Sequence, residues 1–127
     1  MKKKSSFSFA ARIRSFGYAI NGIFTVFKTQ HNAWIHLVAT LVVIMLGAWF
    51  GLTNIEWCLI GIAITLVLIA EMFNTAIEMI MDKISPERSE ETGKIKDIAA
   101  GAVLVAASVA VVIGALVFVP KIWRIIS

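Results

Sequence analysis

A chain of 127 residues that is 59% hydrophobic and 16% charged, with a mean hydropathy of +0.86, is too apolar for an ordinary soluble domain and reads as an integral membrane protein. The net charge of +4 would invite a nucleic-acid partner in a soluble chain, but these basic residues flank apolar runs. They read as topology signals, and no nucleic acid is expected. Cys58 has no second cysteine to pair with and is read as a packing residue.

The N-terminus starts like a signal peptide with Lys2, Lys3 and Lys4, yet Arg12 and Arg14 interrupt its apolar stretch, so the segment is expected to be retained. Over residues 7–29 the apolar Phe9, Ile13, Phe16, Ile20, Ile23, Phe24 and Phe27 recur at steps of three and four. This predicts an amphipathic helix lying in the membrane interface. A first span is expected over 35–52, broken only by His36 and Thr40, followed by a short turn over 53–56. Trp49 and Trp57 on either side of it suit an aromatic belt. A second span follows over 57–81. Residues 82–97 form the hydrophilic connection, in which Ser85-Pro86 should stop the helix, and a third span covers 98–119 up to Pro120. The expected fold is one all-α membrane domain: a surface helix plus three transmembrane helices.

All Lys and Arg except Lys121 and Arg124 lie in the N-terminal segment or in and around the 82–97 connection, so both are expected on the cytoplasmic side. Ala102, Ala106, Ala110 and Gly114 recur every four residues, a small-residue ridge that lets helices approach closely; Gly47 and Gly51 offer a shorter one. Three spans can hardly bury the polar groups of the second one alone, so a homo-oligomer is expected.

Those polar groups are placed on one side. Advancing 100° per residue, Glu71, Asn74, Thr75, Glu78 and Asp82 fall on a single stripe, while Met72, Phe73, Ile77, Ile80 and Met81 face elsewhere. Snorkelling to the headgroups suits Asp82 but not Glu71, which sits about 16 Å further along the helix. Carboxylates at such depth mark a functional site by default. Two carboxylates, an amide and the nearby Lys96-Asp97 pair fit phosphoryl transfer, in which carboxylates hold Mg²⁺ and one accepts a hydroxyl proton. The same groups could line an ion path. Gly93-Lys94 lacks the rest of a P-loop and there is no protein-kinase signature. His36 has no second His or Cys at ligand spacing and reads as an interfacial hydrogen-bonding group. Glu90, Glu91 and Lys94 read as a solvated face, and Trp123 and Arg124 as anchors at the opposite interface.

Glu71-Met72-Phe73-Asn74-Thr75-Ala76-Ile77-Glu78, followed by Asp82, Glu87 and Lys96-Asp97-Ile98-Ala99-Ala100-Gly101, resembles the signature of the prokaryotic diacylglycerol kinase family, which includes undecaprenol kinases. The likeness extends from Ser15-Phe16-Gly17-Tyr18 to Pro120-Lys121-Ile122-Trp123, and the C-terminal stretch is more similar to the undecaprenol kinase branch. The resemblance implies a homotrimer in a bacterial plasma membrane that transfers the γ-phosphate of MgATP to a lipid alcohol, undecaprenol or diacylglycerol, with sites shared between subunits. By position it assigns Glu71 as general base with Asn74 in support, and Glu78 and Gln30 to the metal. Tyr18, Glu78, Glu87, Arg88, Ser89, Lys96 and Asp97 would meet the nucleotide, and Arg14, Trp34, Glu71 and Ala100 the lipid. Three departures stand out: Gln30 replaces the usual second metal-binding Glu, Trp34 a common basic residue, and Ser89 a frequent loop His. An uncharged Gln30 implies weak metal binding and leaves a catalytically impaired relative as an alternative to the active kinase.

Overall fold

The computed structural model describes residues 6–127, so the basic start at Lys2–Lys4 lies outside the described residues. Four helices follow one another: α1 (Phe9–Thr29), α2 (His31–Phe50), α3 (Asn54–Ile84) and α4 (Glu90–Ile126). α2, α3 and α4 are each long and apolar enough to cross a membrane. The chain is an all-α, three-span membrane protein.

α3 and α4 outrun the expected spans at both ends, whereas α2 starts four residues before the expected 35–52 but stops at Phe50, and α1 falls within the expected 7–29. α3 begins at Asn54 because Thr53 and Glu56 form a capping box: the Thr53 hydroxyl accepts from Glu56 N–H at 3.2 Å, and the Glu56 carboxylate accepts from Thr53 N–H at 3.0 Å. The turn before it is correspondingly tight. Gly51 ends α2 in the left-handed conformation, φ 68°, and its N–H and that of Leu52 both bond the Gly47 carbonyl. Gly47 and Gly51 therefore build this turn, and Gly47 also admits the Trp57 ring of α3 against α2. A Cβ on Gly47 would stand 2.6 Å from Trp57 Cη2 and 2.9 Å from Leu52 Cδ1.

The 82–97 connection shrinks to residues 85–89, because α3 continues to Ile84 and Ser89 caps α4 by accepting from Thr92 N–H at 3.1 Å. Glu and Lys are good helix formers, so a charged stretch extends a helix into water instead of ending it. Pro120 does not end α4 either. Its ring removes the N–H that would bond the Leu116 carbonyl, yet the helix runs on to Ile126. At 37 residues α4 is about 55 Å long, well beyond the ~30 Å hydrocarbon core.

α3 and α4 pack antiparallel. A cluster of Leu52, Ile60, Val117 and Phe118, flanked by Phe50, Trp57 and Ile113, closes the end of the molecule at the α2–α3 turn. There Lys121 Nζ lies 3.0 Å from the Glu56 carboxylate, tying the end of α4 to the start of α3. Ala106 of the small-residue ridge is buried in this packing. α2 meets α3 near the turn through Gly47 and again at its other end, and between those points a groove of about 380 Å³ opens toward α4. Its walls are almost wholly apolar, with Val43, Ile64, Val67, Ala107 and Ala110 among them. α1 buries Val26 at its C-terminal end, while its aromatic residues Phe9, Phe16 and Phe24 stay exposed.

Candidate active site

The polar stripe of α3 is sorted by depth. Glu71, Asn74 and Thr75 are buried, Glu78 is half-buried and Asp82 is exposed. Glu71 lies at the end of the apolar groove, its side chain 3% exposed, with His36 Nε2 at 3.0 Å from Oε1. Thr75 hydrogen-bonds the Glu71 backbone carbonyl at 2.8 Å, so its hydroxyl does not occupy the carboxylate.

Two turns along the same helix a second group assembles around Glu78. Gln30 Nε2 donates to Glu78 Oε2 at 3.1 Å, and Asn74 Nδ2 donates to Oε1 at 3.4 Å. Gln30 reaches it because α1 and α2 break at this residue. It has extended backbone angles (φ −121°, ψ 116°), and its side chain caps neither helix. Asn74 Oδ1 is buried without a hydrogen-bond partner among the described residues, and a buried acceptor of that kind calls for a donor or a cation.

A divalent hard cation is compatible with this donor set. The Glu78 carboxylate, the orphaned Asn74 oxygen and the Gln30 amide oxygen are all oxygen ligands, and Mg²⁺ takes one or two carboxylates plus phosphate and water. Glu78 is the one carboxylate among them, and no group of three or more His, Cys, Asp or Glu is gathered for a metal among the described residues. The cluster suits a cation that arrives with phosphate oxygens of its own.

The remaining predicted residues lie further out. Lys96 reaches across from α4 to pair with Asp82, while Asp97 and Ala100 are exposed on the same helix. Glu87 and Arg88 are exposed between α3 and α4, and the Ser89 hydroxyl is engaged in capping α4 and with the Thr92 hydroxyl at 2.8 Å. Arg14 and Tyr18 are exposed on α1, and no hydrogen bond among the described residues joins them to the Glu71 or Glu78 groups. Trp34 staples the α1–α2 corner: its indole N–H donates to the Phe27 carbonyl at 2.6 Å and its ring meets Phe27 edge-on. His36 is a hydrogen-bonding group, as its place in the sequence suggests, but with Glu71 as a partner that the sequence does not indicate. Its partner lies 35 positions away, a contact between helices that spacing along one helix does not reveal.

Fold and site define a small three-span membrane enzyme, with a buried carboxylate at the end of an apolar groove and an oxygen-rich cluster beside it. Residues 17–118 match the family described as Prokaryotic diacylglycerol kinase. The chain is 37% identical over 109 residues to an undecaprenol kinase of Bacillus subtilis, covering 86% of this chain and 89% of that one. It is 32% identical over 104 residues to a diacylglycerol kinase of Escherichia coli K12, covering 82% and 85%. With a diacylglycerol kinase of Synechocystis the identity is 38% over 109 residues, spanning 85% of this chain and 62% of that longer one. The chain belongs to the prokaryotic diacylglycerol kinase family and is a lipid kinase. Membership in a kinase family disfavours an ion conduit built on the same carboxylates.

Proposed function

We propose that the protein transfers the γ-phosphate of MgATP to the hydroxyl of a membrane lipid, undecaprenol or diacylglycerol, at the cytoplasmic face of a bacterial plasma membrane. The observation that carries this reading is the position of Glu71: a carboxylate buried where an apolar groove meets the polar stripe. A lipid whose chain occupies the groove brings its hydroxyl to that carboxylate. Glu78, seven residues along, is about 10 Å away on the helix axis, so a γ-phosphate and the attacking oxygen fit between the two groups.

In the proposed reaction Glu71 accepts the hydroxyl proton as the lipid oxygen bonds to phosphorus and the bond to the ADP oxygen breaks. Surrounding apolar side chains keep water from competing as acceptor of the phosphoryl group. Glu78, Asn74 and Gln30 would hold Mg²⁺, which when bound neutralises charge on the phosphate oxygens. Lys96 is placed to turn from Asp82 to a phosphate, and the exposed residues 86–89 and Tyr18 would face the water from which a nucleotide arrives. A single chain buries Glu71 by itself, so self-association is supported by other observations, the groove left open between α2 and α4 and the exposure of Arg14 and Tyr18 away from the residues they should assist, while the number three comes from the family resemblance. A neighbouring copy would bring such residues to the site.

The test is phosphate transfer from γ-labelled ATP in mixed micelles with Mg²⁺, with undecaprenol and diacylglycerol offered in parallel. Label in one lipid identifies the substrate. No label in either, at high Mg²⁺ with folded oligomer present, overturns the reading and leaves a catalytically impaired relative.

A further inference from the structure

The contact that the proposed reaction does not use is the one between α2 and the buried carboxylate. His36 Nε2 sits 3.0 Å from Glu71 Oε1. In the ionised form that a general base requires, Glu71 only accepts hydrogen bonds, so in that form the ring nitrogen facing it is the donor. Glu71 is buried and shares the groove with apolar residues such as Ala33, Leu37, Val67 and Leu68, where an ionised carboxylate without a donor is costly. The His36 side chain is 33% exposed, so its ring bridges the buried group and the mouth of the groove.

We infer that His36 is a positioning residue for Glu71: its N–H holds Oε1 and leaves Oε2 turned to the substrate hydroxyl. No hydrogen bond among the described residues occupies Oε2. The imidazole keeps its proton throughout; the hydroxyl proton goes to Glu71, the lipid oxygen bonds to phosphorus, and ADP leaves. α2 also carries Gln30 at its head, so this single helix would set the base through His36 and meet Glu78 through Gln30. The inference rests on Glu71 being the base.

The test compares His36→Leu, His36→Phe and His36→Gln with wild type and Glu71→Gln, each purified as folded oligomer, by kcat and by KM for ATP. His36→Phe keeps the ring volume and removes the donor, whereas His36→Gln restores a neutral N–H at similar reach. The expected result is a fall in kcat of about tenfold or more in the Leu and Phe variants, a part of the ~10²–10⁴-fold worth of a general base. KM for ATP stays put, and most of the rate returns in His36→Gln. A Gln variant as slow as the Phe variant overturns positioning by a neutral donor. Inert Glu71→Gln beside Leu and Phe variants that match wild type overturns the role of His36 and leaves the base standing. Activity surviving in Glu71→Gln removes the base, and the role of His36 with it.

Discussion

The two ends of the membrane-spanning helices are built on opposite terms. At the turn end, Leu52, Ile60, Val117 and Phe118 interlock with Phe50 and Trp57, Gly47 lets the Trp57 ring lie against α2, and Lys121 and Glu56 clamp the rim. At the other end a carboxylate, an amide and a hydroxyl are buried on α3, and Asn74 Oδ1 has no hydrogen-bond partner among the described residues. Apolar packing is complete in itself, whereas a buried acceptor calls for a donor, water included, or a cation. The turn end is organised to hold the helices together, and the polar end to receive something. The groove runs between them, its lining changing from Gly114 and Ile60 to His36 and Glu71.

The largest expected effect of separating these roles is at Glu71. Glu71→Gln keeps the shape and removes the basic oxygen, so phosphate transfer should fall by about 10²–10⁴-fold, as for loss of a general base. Thermal unfolding in detergent should change little, because a neutral amide is easier to bury than a carboxylate. A variant that loses activity only because it unfolds would show that the polar end also carries stability, and the division between the ends would be wrong.

The stripe on α3 was legible because a period of 3.6 survives in any single helix, and depth followed from counting residues along it. The spans expected for α3 and α4 are shorter than the helices because apolarity marks the bilayer, not the helix; Thr53-x-x-Glu56 and Ser89 are the capping signals that place the true starts. What no spacing reveals is contact between helices. Gln30 came to Glu78 through resemblance to a family, and the geometry of a break at Gln30 now supplies the physical reason. For His36 no such guide exists: its hydrogen-bonding character is legible, its partner Glu71 on another helix is not.

A smaller effect, on stability alone, is expected at the turn end. Gly47→Ala drives a methyl against Trp57 and Leu52 and should cost about 1–3 kcal/mol, as other overpacked sites do. Gly61→Ala on α3, where nothing lies within 4 Å of the added carbon, should leave the unfolding midpoint unchanged or raise it slightly through helix propensity. Activity per folded molecule should match wild type in both. Equal midpoints for the two variants would mean that the Gly47–Trp57 approach does not secure the turn.

The smallest expected change sharpens the polar end, and its sign depends on the metal. Gln30→Glu places a second carboxylate where an amide now donates to Glu78 at 3.1 Å. Without metal the donor is lost and like charges face each other, so the midpoint measured in a chelator should fall below that of wild type. With Mg²⁺ the added charge becomes a ligand, and the concentration needed for half-maximal rate should drop by about three- to tenfold, since affinity for such cations follows ligand charge. The two measurements fail differently. A lower midpoint in chelator with an unchanged Mg²⁺ requirement would keep Gln30 beside Glu78 but remove it from the metal. If neither changes, the Gln30–Glu78 contact does not form in the membrane, and the corner between α1 and α2 does not deliver its side chain to the site.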